Sequence, residues 1–259
     1  MKALAARRHH RSAPVVLLLL ALLVTGGLYA ALVPSSAGAA EATARDIEYG
    51  SELFQANCAT CHGMNAEGTQ DAPSLIGVGA ASVDFQVSTG RMPMEANGPQ
   101  ALAKPPQLTD EQVAALAAYV ASLGYGPAIP TAEQVDPAEG DPANGMQLFR
   151  TNCAMCHNAV GAGGALSEGK FAPALWDSTP TVIYEAMVTG PQAMPVFNDA
   201  NLTPEEKRDV ISYILAQRDG SPGGIELGAL GPVSEGMWAW IVGIGLLVAC
   251  SVWIGAKSS

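Results

Sequence analysis

One six-residue stretch occurs twice in this chain of 259 residues, and it limits the possible folds more than any other feature. The first copy is Asn57-Cys58-Ala59-Thr60-Cys61-His62 and the second is Asn152-Cys153-Ala154-Met155-Cys156-His157. Cys-x-x-Cys-His is the attachment signature of c-type haem. Two thiols a helical turn apart can each form a thioether with one vinyl group, which leaves the adjacent histidine beneath the porphyrin. The predicted attachment residues are Cys58, Cys61, Cys153 and Cys156, and the predicted proximal iron ligands are His62 and His157.

Other uses of a Cys-x-x-Cys pair fit this chain less well. Such a pair can be a thioredoxin-like redox site, half of a zinc site or a disulfide. A zinc site usually needs two pairs held close together, whereas these pairs are 95 residues apart and each has its own histidine. No βαβ pattern of the thioredoxin kind surrounds either pair. We therefore expect two haems and redox chemistry.

The flanks of the two motifs also repeat. Gly50-x-x-Leu53-Phe54-x-x-Asn57-Cys58 matches Gly145-x-x-Leu148-Phe149-x-x-Asn152-Cys153 position for position. Each histidine is followed by an Ala-Pro loop, then by a Thr-Gly turn and a Met-Pro pair. An internal repeat of this kind predicts two small domains, each near 80 residues, rather than one large one.

Sequence patterns typical of helices occur at the beginning and end of each repeat, and they predict an all-α fold. Residues 46–57 carry apolar residues at helical spacing, and Thr109 with Gln112 forms a capping-box pattern before the last helix of the first repeat. Pro204 suits the first position of the corresponding helix in the second repeat. Between the repeats, residues 127–142 contain four prolines and four acids, which is typical of a stiff, exposed linker.

Both ends of the chain carry apolar segments. The first follows Lys2, Arg7, Arg8 and Arg11, spans Pro14 to Val33, and has the features of a signal peptide and also the length of a membrane anchor. Cleavage and retention both remain open, and a retained anchor is slightly favoured. Residues 236–256 form an uncharged run with tryptophans near both ends, which predicts a transmembrane helix. The basic flanks of both segments predict that the two repeats lie on the outer face of the membrane.

The charge distribution argues against nucleic acid as a partner. All 24 acidic residues lie between Glu41 and Glu235 but only 8 of the 13 basic residues do, so this part has a formal charge of −16. Such a surface repels nucleic acid and favours a basic patch on another protein.

Each repeat resembles a class I cytochrome c domain. The resemblance covers nearly all of residues 45–220, and it implies that the first and last helices of each domain cross at a glycine and an aromatic residue. Gly50 and Phe54 would meet Tyr119, and Gly145 and Phe149 would meet Tyr213. It also implies that the backbone carbonyls of Pro73 and Pro173 accept a hydrogen bond from the two histidines.

A methionine sulfur is the expected sixth ligand of each iron. Met194 has the Met-Pro context after its Thr-Gly turn and is the choice in the second repeat. The first repeat offers two candidates: Met92 has the Met-Pro context, and Met94 has the same spacing from Gly90 that Met194 has from Gly190. We favour Met92 because a following proline fixes the loop.

Tandem domains of this kind with a C-terminal anchor resemble the dihaem cytochrome c subunits of actinobacterial-type cytochrome bcc complexes, which are menaquinol–cytochrome c reductases. The resemblance implies two covalent haem c groups that relay electrons from a Rieske iron–sulfur subunit and a cytochrome b to a haem–copper oxidase. The enzyme activity would belong to the complex. The predicted parts are residues 1–36 (signal or anchor), 45–126 and 141–222 (cytochrome c domains), 127–140 (linker) and 236–256 (transmembrane helix).

Two other functions remain possible from the sequence. The chain could be the dihaem electron acceptor of a periplasmic dehydrogenase. It could also be a dihaem peroxidase-type enzyme, which would need an open sixth position on one iron. Methionine candidates in both repeats argue against the second possibility.

Overall fold

A computed structural model describes residues 13–32, 43–96, 98–219 and 232–256. The N-terminal unit contributes one helix, α1 (Ala13–Leu32), whose residues 14–27 are apolar. The expected cleavage region, residues 34–39, lies outside the described residues. Whether the leader is cleaved therefore stays a prediction.

The first repeat folds into helices around one core. They are α2 (Ala44–Asn57), α3 (Ala59–His62), α4 (Ala80–Ser88) and α5 (Asp110–Ser122). The capping box predicted for α5 is confirmed, because the Thr109 side chain accepts from the Gln112 backbone and the Gln112 side chain accepts from the Thr109 backbone. α2 begins with an equivalent box formed by Thr43 and Asp46. These local bonds satisfy N–H groups that have no partner inside the helix.

The second repeat has the same order of helices. They are α7 (Pro142–Asn152), α8 (Ala154–His157), α9 (Pro180–Thr189) and α10 (Pro204–Asp219). A two-residue antiparallel ladder is added between α8 and α9, where β1 (Gly164–Ala165) pairs with β2 (Phe171–Ala172) and Ala165 lies opposite Phe171. Pro204 opens α10, as predicted. The all-α fold class is confirmed.

In both repeats the first and last helices cross at a glycine, as the resemblance implies. A Cβ at Gly50 would overlap the Ala115 carbonyl oxygen, and one at Gly145 would overlap the Asp209 carbonyl oxygen. One turn further along, the rings of Phe54 and Tyr119 lie 5.4 Å apart between centroids, and the equivalent pair in the second repeat lies 5.3 Å apart. This close approach of the two helix backbones fixes the direction of the first helix, and therefore the position of the cysteines that follow it.

The segment between the repeats is more ordered than an extended spacer. It contains α6 (Ala132–Val135) and a 3₁₀ turn (Pro137–Glu139), and both pack against α10. Gln134 donates to the Tyr184 hydroxyl at 3.2 Å, and the Ser212 hydroxyl donates to the Pro137 carbonyl at 2.5 Å. Most of the segment is exposed, but its turns are fixed to the second repeat. The domain boundaries drawn here remain predictions.

The two repeats also contact each other. α4 packs against α9, the helix in the equivalent position of the second repeat. Away from these helices, the Gln100 side-chain amide donates to the Phe171 carbonyl and accepts from the Phe171 N–H, both at 2.9 Å. The first repeat is thus bonded to the ladder of the second.

The last helix is α11 (Pro232–Ala256). Within the described part of the chain, its residues 236–256 are the one helical stretch long and apolar enough to cross a membrane, with a mean hydropathy of 2.1 and no part buried. Cys250 lies in this helix as a free, exposed thiol.

We expect Gly145→Ala to lower the free energy of unfolding of the second repeat by about 1–3 kcal/mol, because the added methyl group overlaps the Asp209 carbonyl and forces α7 away from α10. Alanine has the higher helix propensity by about 1 kcal/mol, so propensity alone would give the opposite sign. Urea unfolding of the detergent-solubilised full chain, followed by circular dichroism, measures the change.

Gln147→Ala is the matched control, because Gln147 is exposed on the same helix. Equal or greater stability of the Gly145 variant would contradict the close approach.

Candidate haem sites

Each Cys-x-x-Cys-His motif begins where the first helix of its repeat ends. Cys58 is the residue after α2, and its N–H donates to the Phe54 carbonyl at 2.8 Å. The N–H of Cys61 then donates to the Cys58 carbonyl at 3.1 Å. The second repeat has the same two bonds at Cys153 and Cys156, at 2.8 Å and 3.1 Å. The helical turn that the attachment chemistry requires is therefore present twice.

Both histidines make the hydrogen bond that the resemblance implies. His62 Nδ1 lies 2.8 Å from the Pro73 carbonyl oxygen, and His157 Nδ1 lies 3.0 Å from that of Pro173. A carbonyl only accepts, so Nδ1 carries the proton and Nε2 is left with a lone pair. This is the tautomer that an iron-ligating imidazole needs.

Burial supports the neutral form of the second histidine. His157 is buried, and burial lowers its pKa while the bond to Pro173 acts in the opposite direction. Burial also raises the pKa of Cys58 and of Cys153 to about 11, with the neighbouring cysteine of each pair adding to the effect. No cluster of three or more His, Cys, Asp or Glu suited to a metal occurs among the described residues.

A cavity in the second repeat has the lining for a large apolar group. Its volume is about 130 Å³, and it is partly open to solvent. Cys153, Cys156, His157 and Met194 all line it, and most of the remaining wall is apolar. Two thiols, an imidazole nitrogen, a thioether and an apolar wall together fit a covalently attached haem.

The structure separates the two methionine candidates of the first repeat. Met92 packs against the buried cluster around Phe54, as do Cys58 and Leu75, while Met94 is 38% exposed. Met194 packs against the equivalent cluster of the second repeat. The assignment of Met92 and Met194 as iron ligands stays a prediction, and this packing favours it over Met94.

Sequence reasoning missed a lysine that holds the first methionine loop. Lys104 donates through Nζ to the Pro93 carbonyl at 2.7 Å and pairs with Glu95 at 3.2 Å. Gly90 has φ +66°, and a Cβ there would overlap the Lys104 carbonyl oxygen. The Thr-Gly turn can be recognised in the sequence, but nothing in the sequence indicates that the lysine 14 residues after Gly90 bonds to this loop.

A second group that sequence reasoning missed is a buried carboxyl where the repeats meet. Glu185 lies on α9 with no exposed surface, and neither carboxyl oxygen has a hydrogen-bond partner of standard geometry among the described residues. Burial raises its pKa strongly, and Asp84 on α4 raises it further. The pKa of Asp84 is itself raised by burial, an effect that its interaction with Glu185 opposes and that Asp110 adds to. The two carboxyls therefore titrate as a coupled pair that retains a proton.

Comparison with known proteins agrees with this geometry. The family model described as cytochrome c matches residues 47–124, and the one described as cytochrome C oxidase, cbb3-type, subunit III matches residues 140–214. The cytochrome bc1 complex cytochrome c subunit of Corynebacterium efficiens is 48% identical over 230 residues, which cover 82% of this chain and 77% of that protein. The chain belongs to the family of cytochrome bc1 complex cytochrome c subunits.

A second cytochrome bc1 complex subunit and an oxidase subunit are also similar to this chain. The subunit of the same name from Mycobacterium tuberculosis is 44% identical over 242 residues, covering 90% of this chain and 86% of that protein. The cbb3-type cytochrome c oxidase subunit FixP of Sinorhizobium medicae is 30% identical over 140 residues, which cover 50% of this chain and 45% of that protein.

Membership in this family defines the cofactor and the general function. The chain has two cytochrome c domains and carries two covalently bound haem c groups. It transfers electrons as a subunit of the membrane-associated cytochrome bc1 complex, together with other subunits of that complex. An enzyme activity belongs to the complex as a whole.

We expect Glu185→Gln to remove a pH dependence of stability. A carboxyl whose pKa is raised on folding stabilises the folded state fully below its unfolded pKa, and this contribution is lost as the pH rises towards the folded value. Wild-type stability should therefore fall from about pH 5 upward. At pH 8 the variant should be more stable by on the order of 2–3 kcal/mol.

Urea titrations of the full chain at pH 5, 6, 7 and 8 measure this slope through the haem absorption band. Glu133→Gln is the control, because Glu133 is exposed on α6. Parallel pH profiles for the wild type and the Glu185 variant would mean that Glu185 is ionised in the folded state.

Proposed function

We propose that this chain relays electrons from a Rieske iron–sulfur subunit, which works with a cytochrome b, through both haem domains to a haem–copper oxidase. The observation that carries the proposal is the contact between the two domains. α4 packs on α9, and Phe85 and Gln100 of the first domain line the cavity of the second. A second haem site that is lined partly by the first domain suits transfer within one chain, without a diffusing carrier.

The proposed ligand set is the one that the sequence suggested. Cys58 and Cys61 would attach the first haem and Cys153 and Cys156 the second. His62 and Met92 would ligate the first iron, and His157 and Met194 the second. Each bound haem supplies a one-electron iron couple whose potential a methionine ligand raises.

A full ligand set favours a carrier over a dihaem peroxidase. The Pro73 and Pro173 carbonyls hold each imidazole in the ligating tautomer. Lys104 holds the loop that follows Met92, and Met194 packs against the buried cluster around Phe149. If one histidine and one methionine ligate each iron as proposed, a peroxide would have no open site.

The proposed topology anchors both domains on the outer face of the membrane. Residues 236–256 supply the span, with Trp238 and Trp240 near one end and Trp253 near the other, and Lys257 follows on the cytoplasmic side. Residues 1–36 would be the signal sequence or membrane anchor, 45–126 and 141–222 the haem domains, and 127–140 the linker.

Replacing each methionine tests the ligand assignment. We expect Met92→Ala to convert one of the two haems from a low-spin to a high-spin form, because the sixth ligand is lost, and Met194→Ala to do the same to the other. Met94→Ala should leave both haems low-spin, because Met94 is exposed. Electron paramagnetic resonance of the oxidised chain counts the high-spin irons, and a high-spin iron only in the Met94 variant would transfer the assignment to that residue.

Affinity purification of the tagged full chain from its native membranes in mild detergent tests the partners. We expect a cytochrome b, a Rieske protein and a haem–copper oxidase in the same particle, which should reduce oxygen when quinol is added. Recovery of a periplasmic dehydrogenase instead would favour the acceptor-subunit alternative.

A further inference from the structure

The cavity of the second haem site is built partly by the first domain. Three of its lining residues, Phe85, Arg91 and Gln100, belong to the first repeat, and Arg91 directly precedes Met92. Gln100 fixes this wall in place through its two hydrogen bonds to Phe171, which also lines the cavity. The methionine loop of one site therefore forms a boundary of the other.

The ionisable groups in the cavity wall have one sign. Besides His157 and the two cysteines, the lining contains the cations Arg91 and Lys170 and no aspartate or glutamate. The chain as a whole has 24 acidic residues against 13 basic ones, so this composition runs against its surroundings. A haem carries two propionate carboxylates, which are the anions that such a wall would accept.

Of the two cations, Arg91 is the one without a partner. Lys170 pairs with the exposed Glu168 at 3.4 Å. The Arg91 guanidinium makes no hydrogen bond or ion pair within the described part of the chain. It lies over the Phe85 ring, with 4.7 Å between the guanidinium carbon and the ring centroid.

The position of Arg91 is costly for an unpaired charge. The side chain is half-buried. Removing a cation from water is unfavourable unless a counter-ion or hydrogen bonds compensate, and stacking on one ring recovers only part of that loss. The planar guanidinium matches a carboxylate through two parallel hydrogen bonds.

We propose that Arg91 binds a propionate of the haem attached to Cys153 and Cys156. The inference rests on the proposed attachment sites, and it makes Arg91 a cofactor-binding residue supplied across the domain boundary. A cation beside this haem favours the reduced iron, because reduction lowers the net positive charge of the centre. Arg91 should therefore raise the reduction potential of the second haem.

Redox titration of the full chain in detergent, followed optically, tests the proposal. We expect Arg91→Gln to lower the equilibrium constant for reduction of the second haem by on the order of tenfold, which corresponds to about 59 mV for one electron. Arg91→Lys retains the charge and should restore most of the potential. Arg150→Gln is the matched control, because Arg150 is an exposed arginine of the second domain outside the cavity lining.

Met194→His identifies which titration step belongs to the second haem, because it changes the ligand of that iron. The proposal is overturned if the titration step of the second haem has the same potential in the Arg91→Gln variant as in the Arg150→Gln control. It is also overturned if only the first step moves, because Arg91 would then act through its neighbour Met92.

Resonance Raman spectra give a second readout that does not depend on the glutamine variant folding. The propionate bending mode should differ between the wild type and Arg91→Lys, because lysine cannot form the paired hydrogen bonds, and an unchanged mode would contradict the contact. Haem content, measured as pyridine haemochrome, distinguishes a failure of the proposed function from a failure of the Arg91 proposal. Fewer than two haems in the wild type would defeat the proposed function, whereas two haems with no potential shift would defeat this proposal alone.

Discussion

The structure of each domain depends on a backbone contact that glycine alone permits. At Gly50 and Gly145 the first helix lies against a carbonyl oxygen of the last helix, with no room for a side chain. This contact fixes where the first helix ends and hence where the cysteines begin. The aromatic pair one turn later fills the angle between the helices. The attachment sites are thus placed by the packing of the first helix against the last.

The docking of the two domains adds a polar interface to these separate cores. Glu185 is fully buried there and coupled to Asp84, which is an expensive arrangement for two carboxyl groups unless a proton is retained between them. Elsewhere in the interface, the side-chain amide of Gln100 makes two hydrogen bonds to the backbone of Phe171, as a neighbouring strand would. The interface therefore fixes the orientation of the domains through directional bonds and one protonated pair.

The sequence predicted what is local or repeated. The capping box of Thr109 and Gln112, the proline at the start of α10 and the paired haem motifs are all short-range patterns. The interface could not be predicted, because Glu185 looks like any helical surface glutamate until α4 is placed against it. Lys207 is a similar case: it is fully buried, yet its pairing with Asp199 at 2.6 Å and its position over the Tyr184 ring depend on tertiary packing.

The hydrogen bonds between Gln100 and Phe171 also protect the small ladder from pairing with other molecules. A two-stranded ladder presents unpaired N–H and C=O groups along its outer edges, and such edges can recruit strands from neighbouring chains. Here a glutamine side chain occupies both backbone groups of Phe171 on that edge. The contact that joins the domains thereby closes a site at which this chain could otherwise aggregate.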